Sequence, residues 1–146
     1  MGHTRSLLEG LAALLELAGL GVYRSEVTDE PYADDETAIV LHRLPEAPDR
    51  VIALTPYPVE DTGLTDVTDG IQIRMRAGTD PRDVADLADA VRDLLHMREA
   101  TVLGTVRVSL IWRQSQAPMG QDTHGREEIS SNYYLRSNRP APHVHD

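Results

Sequence analysis

The sequence predicts an α+β domain: a mostly antiparallel β-sheet with two main helices packed on one face. Three observations predict it. Two segments, Leu7–Ala18 and Pro81–His96, carry apolar residues at helical spacing. Shorter runs, above all Ile71–Ala77 and Thr105–Arg113, alternate apolar and polar residues as half-exposed strands do. The chain has 146 residues, 40% hydrophobic and 26% charged, which suits one ordinary core. The domain is expected over residues 1–137, with a flexible C-terminal tail over 138–146.

In chain order, Ser6-Leu7-Leu8-Glu9 reads as a capping box opening the first helix. Leu7, Leu8, Leu11, Leu14, Leu15 and Ala18 form its stripe, and Gly19 is its left-handed stop with Leu20 as hydrophobic partner. Ala13 and Leu17 lie off that stripe, so the helix is either deeply buried or also touches a second subunit. Gly21–Ser25 reads as a short strand. Val27–Thr37 is an acidic, solvated loop; it lacks the glycine and distal glutamate of a calcium loop. Ala38–Leu44 and Arg50–Tyr57 read as strands, and Val51–Leu54 alternates so little that it should be covered on both faces. Pro56 and Pro58 are expected to end the second of these, leaving Val59–Gly70 as a long loop. Ile71, Ile73 and Met75 face one way, with Gln72, Arg74 and Arg76 opposite.

Asp80-Pro81 is a strong helix start, Asp80 capping and Pro81 in first position. Val84, Leu87, Ala88, Val91, Leu94 and Leu95 make the apolar stripe; Asp83, Asp86, Asp89 and Asp93 make an acidic one on the far side. In Thr105–Arg113, Val106, Val108, Leu110 and Trp112 are expected on one face and Arg107, Ser109, Ile111 and Arg113 on the other. Gln114–Glu128 reads as a second long loop and Ile129–Arg136 as the last strand.

Composition excludes several functions. Without cysteine there is no disulfide, cysteine zinc site or thiol nucleophile. All 14 basic residues are arginine, and a net charge of −10 argues against holding nucleic acid by its phosphates. The apolar stretch Leu7–Val22 is interrupted by Glu9 and Glu16, so it reads as neither signal peptide nor membrane span. No membrane partner and no cofactor are expected. Among the six histidines only His143 and His145 are close in sequence, beside Asp146 at a chain end, and no metal site is expected. His42 reads as a core or edge residue. Asp122, His124 and Arg126 imitate an acid–base group but lack a nucleophile and an orienter, so no catalytic residue is assigned.

What stands out is the placement of charge. One sheet face is expected to carry Arg74, Arg76, Arg107 and Arg113, with Arg136, and one helix face Asp83, Asp86, Asp89 and Asp93. Either these are two solvated faces, or the arginine face of one copy meets the acidic face of the next. The two long loops, with Asp66 and Asp69 in one and Asp122 and Arg126 in the other, and the Ile129–Arg136 edge are further candidate contact surfaces.

Ile71-Gln72-Ile73-Arg74-Met75-Arg76-Ala77-Gly78, then Asp80-Pro81 and a helix ending Ala90-Val91-Arg92-Asp93-Leu94-Leu95-His96, resembles the minor capsid or tail terminator proteins of long-tailed bacteriophages. Leu44–Leu54, Pro118–Arg126 and Asn132-Tyr133-Tyr134-Leu135 agree with that family as well. The resemblance implies a virion protein at the head–tail junction, assembled in a host cytoplasm. It implies a six-membered ring of copies on the last ring of tail tube protein, stopping tube growth and presenting a surface to the head-completion or connector protein. DNA would pass through the lumen without specific binding, and the family brings no catalytic residue. The alternatives are a head-closure or stopper protein and, in another class, a small metal-dependent hydrolase.

Overall fold

Residues 1–25 and 30–146 are described by the structure, a computed structural model. Helix α1 (His3–Leu17) starts ahead of Ser6, with Gly2 as N-cap and no side-chain cap bond. Ser6 therefore lies inside the helix, buried, its hydroxyl 3.1 Å from that of Thr105. Packing against the sheet claims the small side chain that the sequence pattern assigns to a cap. The helix ends as expected. Gly19 takes φ +79°, its N–H donates to Glu16 O at 2.9 Å, and the Leu20 N–H donates to Leu15 O at 3.1 Å. These bonds satisfy two terminal carbonyls while Leu20 packs on the core.

Among the described residues seven strands follow: β1 (Val22–Tyr23), β2 (Thr37–Leu41), β3 (Arg50–Glu60), β4 (Asp66–Arg76), β5 (Arg98–Leu103), β6 (Val106–Gln121) and β7 (Glu127–Asn138). Their order in the sheet is β1-β2-β3-β4-β7-β6-β5. β1, β2 and β3 run parallel, and every other neighbouring pair is antiparallel. The parallel pairing of β2 and β3 forces residues 42–49 to cross back over the sheet. Leu44 of this crossover, with Tyr32, covers Ala38, Val51 and Ala53, while Ile52 and Leu54 face the helices. That is why Val51–Leu54 is buried on both faces, as its weak alternation predicts.

Helix α2 (Pro81–Leu95) starts where expected: Asp80 Oδ1 accepts from the Arg82 N–H at 2.9 Å, and Pro81 holds the first position. Its buried Val84, Leu87, Ala88, Val91 and Leu95 join Leu7, Leu8, Leu11 and Leu15 of α1 in one core against Ile52, Ile71, Ile73, Met75 and Leu135. Each fully buried leucine contributes roughly 1.5–3 kcal/mol. Both helices thus lie on the same, concave face. α1 touches β5 on one side and β1, β2 and β3 on the other, so the sheet curls around it. The tightest approach is at Gly10, where an added Cβ would overlap the backbone of Leu103 and Gly104.

Three expectations on the strands need correction, and one strand went unread. β3 runs through Pro56 and Pro58 to Glu60, and β4 begins at Asp66, so the expected Val59–Gly70 loop is mostly strand. β2 stops pairing at Leu54, so both prolines lie where β3 is a free edge that needs no N–H. The expected Gln114–Glu128 loop is likewise the far half of β6 and the start of β7, joined by residues 122–126. β5 had no alternation to reveal it, because Met97 and Ala100 take positive φ and break its register. Finally, a bulge between Val108 and Leu110 turns the rest of β6 over, so Ile111 and Arg113 face the helices while Leu110 and Trp112 face away.

Of the acidic stretch Val27–Thr37, residues 27–29 lie outside the described residues. The remainder is tied down by Tyr32, whose hydroxyl donates to Ile39 O and accepts from the Arg24 N–H, both at 3.1 Å. At the other terminus, residues 139–146 lie along the β3–β4 turn. The Arg139 N–H donates to Thr65 O, the Thr65 N–H to His145 O and the His145 N–H to Gly63 O, at 2.7 to 2.9 Å.

Candidate interaction surfaces

On the convex face the crossover covers β2, β3 and the Arg76 end of β4; among the described residues no helix lies on the rest, and side chains furnish it. Arg74 pairs with Glu128, Nη2 to Oε1 at 2.7 Å, across the β4–β7 ladder. Tyr57 donates its hydroxyl to Asn132 Oδ1 at 3.0 Å. Trp112 and Tyr134 meet edge to face at 5.7 Å, and the Arg136 guanidinium stands 5.7 Å from the Trp112 ring centre. Arg107 is exposed on the same side. Arg74, Arg107 and Arg136 thus share a half-exposed aromatic face. The aromatic members give no signal in the sequence, because the β6 bulge decides which way Trp112 points.

Of the two other arginines assigned to this face by alternation, Arg76 is on it but covered, and Arg113 is on the opposite face. Arg113 is carried to the helix side by the bulge, opposite Tyr133, and its N–H donates to His96 Nδ1 at 3.0 Å. Arg76 is buried beneath the crossover. Its Nε donates to Asp49 O at 2.9 Å, and its Nη2 donates to both Pro45 O and Pro48 O at 2.7 Å. Burial, and then the neighbouring Arg126 charge, lowers its pKa from the ordinary arginine value.

Arg126 holds the same crossover from the β6–β7 turn. Its Nη1 donates to Glu46 O and to Asp49 Oδ1, while its Nε donates to Asp122 Oδ2 at 2.8 Å. Partial burial pushes the Asp122 carboxyl up. The Arg126 amide, the Arg126 guanidinium and the His124 amide outweigh that and hold it at about 2. The Asp122–His124–Arg126 cluster is therefore a clasp for a turn, with His124 Nε2 3.0 Å from Glu46 Oε1.

The acidic stripe of α2 is where the sequence places it. Asp83, Asp86, Asp89 and Asp93 are exposed on the outer side of the helix, and Asp93 has Arg92 at 3.3 Å. The helix layer separates this stripe from the convex-face arginines, so the two patches do not meet within one copy. Asp66 is exposed at the start of β4, whereas Asp69 lies 2.8 Å from His3 Nε2 and ties the first turn of α1 to β4.

Among the described residues no group of three metal-ligating side chains gathers, and no helix is long and apolar enough to cross a membrane. A hollow of about 490 Å³ between α1 and β5 is lined mainly by apolar groups, among them Met1, Ala13, Leu14, Leu17 and Val102. Leu17, which lies off the main helical stripe, is 87% exposed. The arrangement offers surfaces for contact.

Comparison with known proteins agrees with that character. A family model described as bacteriophage tail terminator protein matches residues 14–139. No curated protein matches the chain. Among solved structures, a chain of the virion of native gene transfer agent (GTA) particle has a similar fold. Its TM-score is 0.54 at 16% identity, over 68% of this chain and 78% of that one.

Proposed function

The chain belongs to the bacteriophage tail terminator protein family, and from that membership we propose that it ends the tail tube. Copies of the chain close into a ring, six-membered by the family resemblance, on the last ring of tube protein. The ring stops tube growth and presents the surface that the head connector joins. The protein is a structural virion component; in this reading it acts by contact alone and makes no covalent bond. The observation that carries the reading is the family match, which spans nearly the whole domain. The similarity of fold to a chain of a gene transfer agent virion supports a place in a particle. A net charge of −10 supports a lumen that DNA passes without sticking, since like charges repel the phosphates.

Within the ring, Arg107 and Arg136 on the convex face of one copy meet Asp83, Asp86 and Asp89 on α2 of the next. Two unlike patches on opposite layers of one domain favour head-to-tail contact, which closes into a ring when the rotation allows. Charges of this kind fix partner and orientation more than they add affinity.

Deleting the gene is expected to give tubes of indefinite length, and supplying the protein to restore one length. Tubes of normal length in its absence overturn the reading. Arg107→Glu is expected to weaken ring formation and Asp86→Arg to restore it in part. Rings indifferent to Arg107→Glu remove the charge pairing and leave termination standing.

A further inference from the structure

We infer that an aromatic band on the convex face, made by Trp112, Tyr134 and Tyr57, is the apolar centre of the contact between copies and seats Ala90 on α2 of the next copy. The inference rests on the function proposed above for the presence of a ring, and adds to its charge pairing the part of the contact that excludes water.

The band crosses four strands in one row. Trp112 of β6 stands opposite Tyr134 of β7, Tyr134 opposite Gly70 of β4, and Gly70 opposite Tyr57 of β3. Gly70 lets the row close. A Cβ there would run into the Tyr57 ring, which lies across β4 and sets its hydroxyl on Asn132 of β7. Trp112 and Tyr134 continue the band edge to face. All three rings are half-buried, and Leu44 of the crossover reaches β3 at Val51 and Ala53, away from them. A sheet with one wet face normally turns polar side chains to water in such a row. The chain has one tryptophan, five tyrosines and no phenylalanine, and it leaves the tryptophan and two of the tyrosines here. Tryptophan, tyrosine and arginine inside a polar rim make up the core of an interface.

The charges beside the band select the occupant. Arg74 is paired with Glu128, but Arg107 and Arg136 are exposed and make no ion pair among the described residues. Val108 pairs with Ser137, so Arg107 stands about two residues and one strand from Arg136, roughly 8 Å, and the Tyr134 row follows about 7 Å further on. The Arg136 guanidinium already leans over Trp112. The outer face of α2 offers the same succession. Asp83, Asp86 and Ala90 recur at i, i+3 and i+7, two carboxylates and then a methyl on one face, over roughly 10 Å. Asp83 and Asp86 are exposed and make no ion pair among the described residues, and Ala90 is half-buried. The flexible arginine side chains span the remaining difference in length. Every copy thus carries both halves of the contact on opposite layers, which is what head-to-tail closure requires. The convex face laid on itself would instead set arginine against arginine. Trp112 and Tyr134, at 77° to each other, make no flat platform for stacked bases, and a chain of net charge −10 repels phosphate.

The chain has no cysteine, so introduced cysteines report without background. Leu110 lies beside the band, opposite Arg136. In isolated tails, Ala90→Cys combined with Leu110→Cys and treated with a short bismaleimide is expected to give a ladder of covalent oligomers, and each single variant none. The one tryptophan reads the same contact in the wild type: acrylamide is expected to quench Trp112 at least about threefold less in tails than in the monomer. Trp112→Ser is expected to raise the concentration needed to cap tubes by at least about tenfold, and Trp112→Phe by no more than about threefold, with the circular dichroism of both unchanged. Tails that carry the double-cysteine protein but yield no ladder overturn the inference, as does a Trp112 equally open to acrylamide in both states. So does a link from Leu110→Cys, made with a thiol- and amine-reactive reagent, to tube or connector protein instead of a second copy. The quenching decides where a variant does not fold. Ladders on tubes that grow without limit are the separate result that sinks the terminator reading and leaves this contact standing.

Discussion

The two sides of the sheet are held by different forces. On the concave side, Leu11, Leu15, Leu87, Val91 and Leu95 meet Ile52, Ile71, Ile73, Met75 and Leu135, and apolar burial does most to hold α1 and α2 down, with the His3–Asp69 and Ser6–Thr105 contacts beside it. On the convex side, residues 42–49 bury little beyond Pro48, with Leu44 and Pro45 half-buried, and two arginines hold them by backbone carbonyls: Arg76 on Pro45, Pro48 and Asp49, and Arg126 on Glu46. Burial is strong and undirected, so many sequences would serve. Hydrogen bonds to chosen carbonyls contribute less to stability but fix a path. The crossover needs that direction, since it must return the chain to the start of a parallel strand across a face with few apolar partners.

The largest effect expected tests the concave side. Gly10→Val places a side chain into the backbone of Leu103 and Gly104, where nothing flexible can give way. α1 must lift from β5, and the loss is expected to reach about 4 kcal/mol, read as a lower urea midpoint for the whole domain. A loss under about 1 kcal/mol would mean that α1 is loosely seated, and the contrast between the two sides would fail.

The convex side should break differently. Arg76→Met keeps the bulk but removes all three carbonyl bonds. Because residues 42–49 lie at the surface, water can replace part of what is lost, and the cost is expected to be about 2 kcal/mol. The sharper readout is local: cleavage by protease within 42–49 should appear while the melting of the core moves little. If the core melts as early as in the Gly10→Val protein, the clamp is part of the core and the two sides are one.

The same contrast explains what the sequence could tell. Features decided by apolar spacing or by local turn chemistry are legible. The stripe of α2, its Asp80 cap and Pro81, the Gly19 stop of α1 and the two-sided burial of Val51–Leu54 all follow from residues near one another in the chain. Features decided across the sheet are not. Pro56 and Pro58 read as terminators until it is known that β2 stops at Leu54 and leaves β3 an edge. The bulge after Val108 has no local mark, yet it carries Arg113 to the helices and Trp112 to the convex face. Arg76 continues the alternation of Ile71–Ala77 correctly, but the crossover then covers it. The acidic stripe of α2 is legible in full; the exposed part of the convex face is legible only in Arg74, Arg107 and Arg136.

The smallest effect expected lies inside the concave side and asks whether burial there is as undirected as supposed. Tyr133 is fully buried, and its hydroxyl has no hydrogen-bond partner among the described residues. Burial pushes that hydroxyl up to about 12, beyond what the nearby Arg113 and Arg92 charges offset. An unpaired buried hydroxyl costs free energy, and Tyr133→Phe removes it without changing the ring that packs in the core. The variant is expected to gain up to about 1 kcal/mol in urea unfolding, with the slope of the transition unchanged. A loss of about 1 kcal/mol instead would mean that the hydroxyl finds a bound water near Arg113 and Asp93. The concave side would then hold a further directed polar contact beside Ser6–Thr105 and His3–Asp69, and the difference between the two sides would narrow.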